Sequence, residues 1–155
     1  MTARRLLRLG ALALLLAAVG LPVLSCASVE VGLVDGQLKP CPGSPNCVNS
    51  QDPDEGHRVP PLPVPGELDT ALDDLQAVLE SLPRVQVVSR EGDYLHAVFV
   101  SRLFRFRDDV EFLLDRQAGH IDVRSASRVG YSDLGANRAR VDELRRLLQP
   151  AAAAR

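Results

Sequence analysis

Between Arg124 and Arg140 the sequence runs RSASRVGYSDLGANRAR, gathering Arg124, Ser125, Ser127, Arg128, Ser132, Asp133, Asn137, Arg138 and Arg140 into one short stretch. Guanidinium forks match carboxylate and phosphate groups bidentately, and a helix that starts after a glycine-containing turn offers free N–H groups at the positive end of its dipole. That chemistry is anion binding, with Arg124, Arg128 and Arg138 as the cationic contacts and Asn137 beside them. Asp108, Asp109 and Asp133 allow two other uses of the same residues. They can neutralise the arginines in an internal ion network. Alternatively, they can serve a hydrolase or transferase as acid, base or metal ligand, with Ser125 or Ser127 as nucleophile. The enzyme reading is the weaker one, because no histidine lies near these serines in sequence and there is neither a glycine-rich elbow nor a Walker-type loop. We therefore assign no catalytic residue and no cofactor, and expect Arg124, Arg128 and Arg138 to converge with Asp108, Asp109 and Asp133.

A second chemical motif is CPGSPNCVNSQ, which sets Cys41 and Cys47 six positions apart in a loop stiffened by Pro42 and Pro45. A thioredoxin-like pair needs Cys-x-x-Cys, which this spacing excludes. Zinc would require two further ligands, and His57, His96 and His120 show no finger-like spacing, so no metal site is assigned. A local disulfide is the best reading, with metal binding and free thiols as the alternatives. The chain-entropy account gives so small a ring only ~2 kcal/mol, enough to shape the loop rather than to hold a domain.

The choice depends on the compartment, and the N-terminus bears on it. Arg4, Arg5 and Arg8 precede the apolar run LGALALLLAAV, the pattern of a secretory leader. LPVLSCAS follows, with Ser25 before Cys26 where a lipoprotein signal peptidase would cut and leave Cys26 to be acylated. Ordinary cleavage after small residues, and an uncleaved anchor from Leu9 to Val29, are the alternatives. The expectation is an exported protein of the bacterial cell envelope, held to a membrane by a lipid anchor and facing the periplasm or the exterior. Acylation of Cys26 would leave Cys41 and Cys47 as a pair in an oxidising compartment. A formal net charge of −2 and only 4% aromatic residues argue against a nucleic-acid binder. The partners expected are the membrane and either a small anionic ligand or an envelope protein.

The elements that must position these residues are regular only beyond Gly66. Eight of the 11 prolines fall between Pro40 and Pro65. We therefore divide the chain into a leader with a lipobox-like site (1–26), a Pro-rich lead-in carrying the cysteine loop (27–66), a compact domain (67–149) and a disordered tail (150–155). In ELDTALDDLQAVLESL the apolar residues follow the helical period up to Pro83. RVQVVS and YLHAVFVS read as strands of one hairpin, DDVEFLLD and HIDVRSAS as strands of a second. The closing helix is ANRARVDELRRLLQ, with Ser132 or Asp133 as N-cap. The fold class expected is α+β, an antiparallel four-stranded sheet of two hairpins flanked by an N-terminal and a C-terminal helix on one face. Pairing the second hairpin across Arg116 to Gly119 sets Val110, Phe112 and Leu114 opposite Ser125, Val123 and Ile121 on an apolar face. Glu111 then lies across from Arg124 on a face expected to be solvated, where ion pairs contribute little.

CPGSPNCVNSQ, FRFRDDVEF and RSASRVGYSDLGANRARV together resemble, in order, the three motifs of the family catalogued as domain of unknown function 1499, over roughly Leu38 to Leu148. Asn49 stands where that family's pattern has a serine. The resemblance implies a small domain of bacterial envelopes and plastids, and since the family has no established activity it supplies no catalytic residues. The function expected is that of an envelope lipoprotein that binds an anionic ligand, a lipid headgroup or a protein partner at its Arg/Asp cluster, with a hydrolase or transferase using Asp108, Asp109 or Asp133 as the alternative.

Overall fold

The computed structural model describes residues 30–149. The leader, the Cys26 acylation site and the C-terminal tail lie outside these residues. A two-residue hairpin comes first, β1 (Leu33–Val34) with β2 (Gln37–Leu38). Next are β3 (Cys47–Asn49) and β4 (Leu62–Pro63), helix α1 (Ala71–Ser81), β5 (Val85–Glu91), β6 (Tyr94–Val100), β7 (Arg107–Asp115), β8 (His120–Ser127) and helix α2 (Ala136–Leu148).

The expected four-stranded sheet flanked by helices is corrected by this structure. Among the described residues the fold is mostly β, with one antiparallel sheet of six strands and a separate sheet of two. The helices stand mid-chain and at the C-terminal end. The two hairpins form the order β8-β7-β6-β5, and the Pro-rich lead-in supplies the missing strands. β3 pairs with the C-terminal half of β8, Cys47 opposite Ala126, and β4 pairs with its N-terminal half, Leu62 opposite Ile121. One long edge is thus closed by two short strands end to end. Proline cannot donate to a ladder, so a segment this rich in it forms only brief edge pairings, which also blunt the edge against further strands.

Register follows the hairpin geometry. Val110, Phe112 and Leu114 pair with Ser125, Val123 and Ile121, and Glu111 with Arg124. Strand residues alternate sides, so one face of the sheet carries Leu95, Ala97, Val110, Phe112, Ile121 and Val123. Both helices cover that face through Leu72, Leu75 and Leu79 of α1 and Val141, Leu144 and Leu148 of α2. A bulge at Val88 interrupts the β5–β6 pairing.

The other face is not wet, contrary to expectation. Asp109, Glu111 and Arg124 on it are buried. The β1–β2 hairpin lies across β7 and β8 there. Gly32 donates its N–H to Glu111 Oε1 at 2.6 Å and Leu38 its N–H to Gln51 Oε1 at 2.9 Å. Leu38 itself is 4% exposed. A layer of charge is therefore sealed between the sheet and its own N-terminal arm.

Candidate functional site

The residues expected to converge are placed on both sides of the sheet. Asp108 and Asp109 are neighbours on β7, so their carboxylates point to opposite faces and cannot share one reacting centre. On the arm-covered face, Arg124 Nη1 donates to Glu111 Oε2 at 2.6 Å, and Tyr94 donates its hydroxyl to Glu111 Oε1 at 2.8 Å. With Gly32, that carboxylate accepts three hydrogen bonds. Burial first, then the charge of Glu111, holds the Tyr94 phenol above its ordinary range. Arg128 grips Asp109 with both Nε and Nη2, at 2.8 and 2.7 Å, and His96 Nε2 lies 2.8 Å from the same carboxylate. Burial pushes the Asp109 carboxyl up, but the hydrogen bonds and charges of Arg128 and His96 outweigh it, lowering it to about 2. Among the described residues only Arg124 Nε is a buried side-chain polar atom without a partner.

The helix-covered side holds a different network. Arg140, the one arginine of the motif left out of the expected cluster, donates Nη2 to Asp108 Oδ2 at 2.5 Å and Nη1 to Ser125 Oγ and Asn137 Oδ1. Its guanidinium also stacks 5.0 Å over the Phe99 ring. Asn137 is fully buried at the start of α2. It accepts from Ser125 Oγ and donates Nδ2 to Asn46 O and Ser127 Oγ. Ser125 is enclosed by these groups, with no histidine in contact to activate it.

Asp133 and Arg138 occupy a third place. The segment before α2 passes through two left-handed residues, Leu134 (φ 55°) and Gly135 (φ 84°), and Gly135 rather than Ser132 or Asp133 takes the N-cap position. Asp133 nevertheless turns its carboxylate back, accepting the N–H groups of Gly135 at 2.9 Å and Asn137 at 2.7 Å. Burial raises its carboxyl and these backbone hydrogen bonds lower it further, leaving a net depression. The anion expected at the helix N-terminus is therefore the protein's own. Arg138 donates to the carbonyls of Arg58 and Gly56, both at 2.9 Å. Pro45, Cys47, Gly56, Ser132, Asp133 and Arg138 line a small open cavity of about 180 Å³.

The cysteine motif serves as a joint. Cys41 and Cys47 form a disulfide with Cα atoms 5.6 Å apart. Asn46 donates Nδ2 to Gly130 O, and its carbonyl accepts from Ser127 N and Asn137 Nδ2. Ser50 and Gln51 hold Asp122 from the other side. Asp115, His120 and Asp122 bring one ligand atom each within 4.8 Å of one another, a grouping the spacing of the histidines did not reveal. Asp115 already accepts two turn N–H groups, however, and Asp122 is held by Ser50 and Gln51.

Residues of a different kind lie at the turn between β6 and β7. Arg102, Leu103, Phe104, Arg105, Phe106 and Arg107 are all exposed, and among the described residues the three arginines take part in none of the ion pairs, which use Arg58, Arg90, Arg116, Arg124, Arg128, Arg140, Arg145 and Arg146. The alternation of arginine with apolar residues in RLFRFR is the sequence signal that marks them.

No curated protein and no solved structure matches the chain. The family model described as "Protein of unknown function (DUF1499)" matches residues 37–148. That span runs from β2 to the end of α2 and takes in all three polar segments whose side chains interlock above. The chain belongs to the DUF1499 family.

Proposed function

We propose that the chain is an exported, membrane-held module of the bacterial cell envelope that works by binding rather than by catalysis. The observation that carries this reading is the pairing of the motif's polar groups with one another. Asp108, Asp109 and Asp133 each have partners inside the fold, on different sides of it, and Ser125 is enclosed without a base. A reaction centre needs groups that converge on a space a substrate can enter. The arginines expected to meet an anion, Arg124, Arg128 and Arg138, are engaged as well. Exposed and outside every ion pair among the described residues are Arg84 and the set Arg102, Arg105 and Arg107, and the latter three stand together for an anionic partner, a lipid headgroup or a protein surface. Export is supported by the basic and apolar leader with Ser25-Cys26, and the Cys41–Cys47 bond suits an oxidising compartment.

Fractionation with fatty-acid labelling tests the anchorage. Wild type should carry label and sediment with membranes, and Cys26→Ala should do neither. A Cys26→Ala chain that stays with the membrane would replace the lipid anchor by an uncleaved helix. Turnover of phosphate and carboxylate esters, with and without Mg²⁺ or Zn²⁺, tests the rest. Metal-dependent turnover abolished by Asp109→Asn or Asp133→Asn without unfolding would establish the hydrolase or transferase instead.

A further inference from the structure

We infer that the Ser101–Arg107 turn is a lipid-facing element that docks the domain onto the anionic surface of the membrane holding its N-terminus. This rests on the membrane-held reading above and adds the surface by which the domain meets that membrane.

The turn is built to be presented. Ser101 donates its N–H to Phe106 O at 2.8 Å and accepts the Phe106 N–H on its side-chain oxygen at 2.9 Å, which closes the loop at its base. Arg105 sits at φ 58°, a left-handed conformation uncommon for a residue with a side chain. Between these fixed points Leu103 is 78% and Phe104 70% exposed, and the rings of Phe104 and Phe106 stack on each other 5.5 Å apart. Two aromatic rings and a leucine held together in water at one tip are an association surface rather than scattered exposure. The neighbouring end of β8 adds to it. Arg128 donates its N–H to Arg107 O, and the segment that follows exposes Val129, Tyr131 and Leu134.

Charge selects the occupant. Arg102, Arg105 and Arg107 alternate with the apolar residues, and none of them is neutralised by an ion pair among the described residues. Apolar side chains that enter the acyl boundary, interleaved with cations at headgroup level, are what an interface of anionic lipid accommodates. The α1 region, by contrast, has no basic residue of its own; Asp69 and Asp73 there are paired with Arg116 and Arg90, and Glu67, Asp74 and Glu80 remain to be repelled by the same surface.

Tether length completes the argument. Cys26 is six residues before Gly32, whose N–H is already bound to Glu111 in the folded domain. At about 3.5 Å per extended residue, the anchor holds that point within roughly 20 Å of the lipid. A domain so confined meets the bilayer at an effective concentration that makes even a weak docking surface effective.

The chain contains no tryptophan, so Phe104→Trp in the full chain places a single reporter at the exposed tip. The protein is reconstituted into vesicles of phosphatidylcholine with a minority of phosphatidylglycerol, with and without bromine on the acyl chains. We expect a blue-shifted emission that loses at least half its intensity to the brominated lipid. Glutamine at all three of Arg102, Arg105 and Arg107 should restore most of it, and so should vesicles without phosphatidylglycerol. Unquenched, water-like emission from protein that co-floats with the vesicles overturns the inference and leaves the anchorage standing. Failure to co-float overturns the anchorage and the inference with it. Emission that turns blue with rising protein concentration in detergent alone, and gains no quenching from lipid, assigns the tip to a second copy of the chain instead.

Discussion

Replacing Arg128 by alanine separates a structural network from a ligand site most cleanly. Asp109 is 2% exposed at its side chain and Arg128 39%, so the pair joins a buried carboxylate to a cation that reaches water. An exposed pair contributes ~0–1 kcal/mol, whereas removing one partner of a buried pair costs ~3–5 kcal/mol. With His96 still in place beside Asp109, we expect Arg128→Ala to lose ~2 kcal/mol at neutral pH. The pH dependence identifies the cause. In the folded protein the Asp109 carboxyl stands at about 2 against an ordinary 3.8, because hydrogen bonds and charge from Arg128 and His96 outweigh its burial. A depressed carboxyl contributes stability that is fully present above the ordinary value and is lost as pH falls through the folded one. Here that contribution is ~2 kcal/mol. Without Arg128 the depression shrinks, so wild type and variant should differ fully above about pH 4 and draw together towards pH 2. Chemical unfolding followed by circular dichroism across that range measures the difference. A loss under ~0.5 kcal/mol at neutral pH would show that Asp109 does not depend on Arg128. A loss of equal size at both ends of the range would show that packing, not charge, had been removed.

Three other outcomes follow from the same contacts. Asn137→Ala should destabilise by ~2–4 kcal/mol in denaturant titration, since it leaves Ser127 Oγ without its donor and Ser125 without its acceptor inside the fold and removes one of the two donors to Asn46 O. Asp133→Ala should cost ~1 kcal/mol by removing the acceptor for the first N–H groups of α2, read as faster amide exchange at Gly135 and Asn137. Peptide mapping without reduction should recover Cys41 joined to Cys47. Replacing both by alanine should cost ~2 kcal/mol, and a far larger loss would show that the ring holds the buried β3 edge rather than shaping a loop.

Much of the frame was legible because its signals are local. The α1 and α2 stripes repeat at the helical period, both hairpins alternate at period two, and the Arg116 to Gly119 turn sets a register that brings Glu111 opposite Arg124. β3 and β4 carry no such signal. They are two or three residues long, lie among prolines, and exist only because β8 offers an open edge. The burial of the charged face was hidden for a related reason. Alternation shows that two faces differ, but a polar face stays wet only if nothing covers it, and the covering arm lies far away in sequence, Gly32 against Glu111. The candidate site divided along the same line. Adjacent strand residues must diverge, so the separation of Asp108 from Asp109 was already implied by alternation, whereas the hold of Arg138 on the Gly56 and Arg58 carbonyls depends on where an irregular loop comes to rest.

The buried polar side chains of the family's segments serve the fold, and contact with a partner is made by the exposed first half of FRFRDDVEF, at the β6–β7 turn. Amide hydrogen exchange of the full chain in vesicles, with and without phosphatidylglycerol, tests both roles at once. Residues 47–50 and 123–127, paired in the sheet, and the Asn137 N–H held by Asp133 should be slow to exchange in either vesicle, and residues 102–106 fast until the anionic lipid is present. Fast exchange through 123–127 and at Asn137 that slows only when a small anion such as inorganic phosphate is added, with 102–106 unchanged by lipid, would contradict this account.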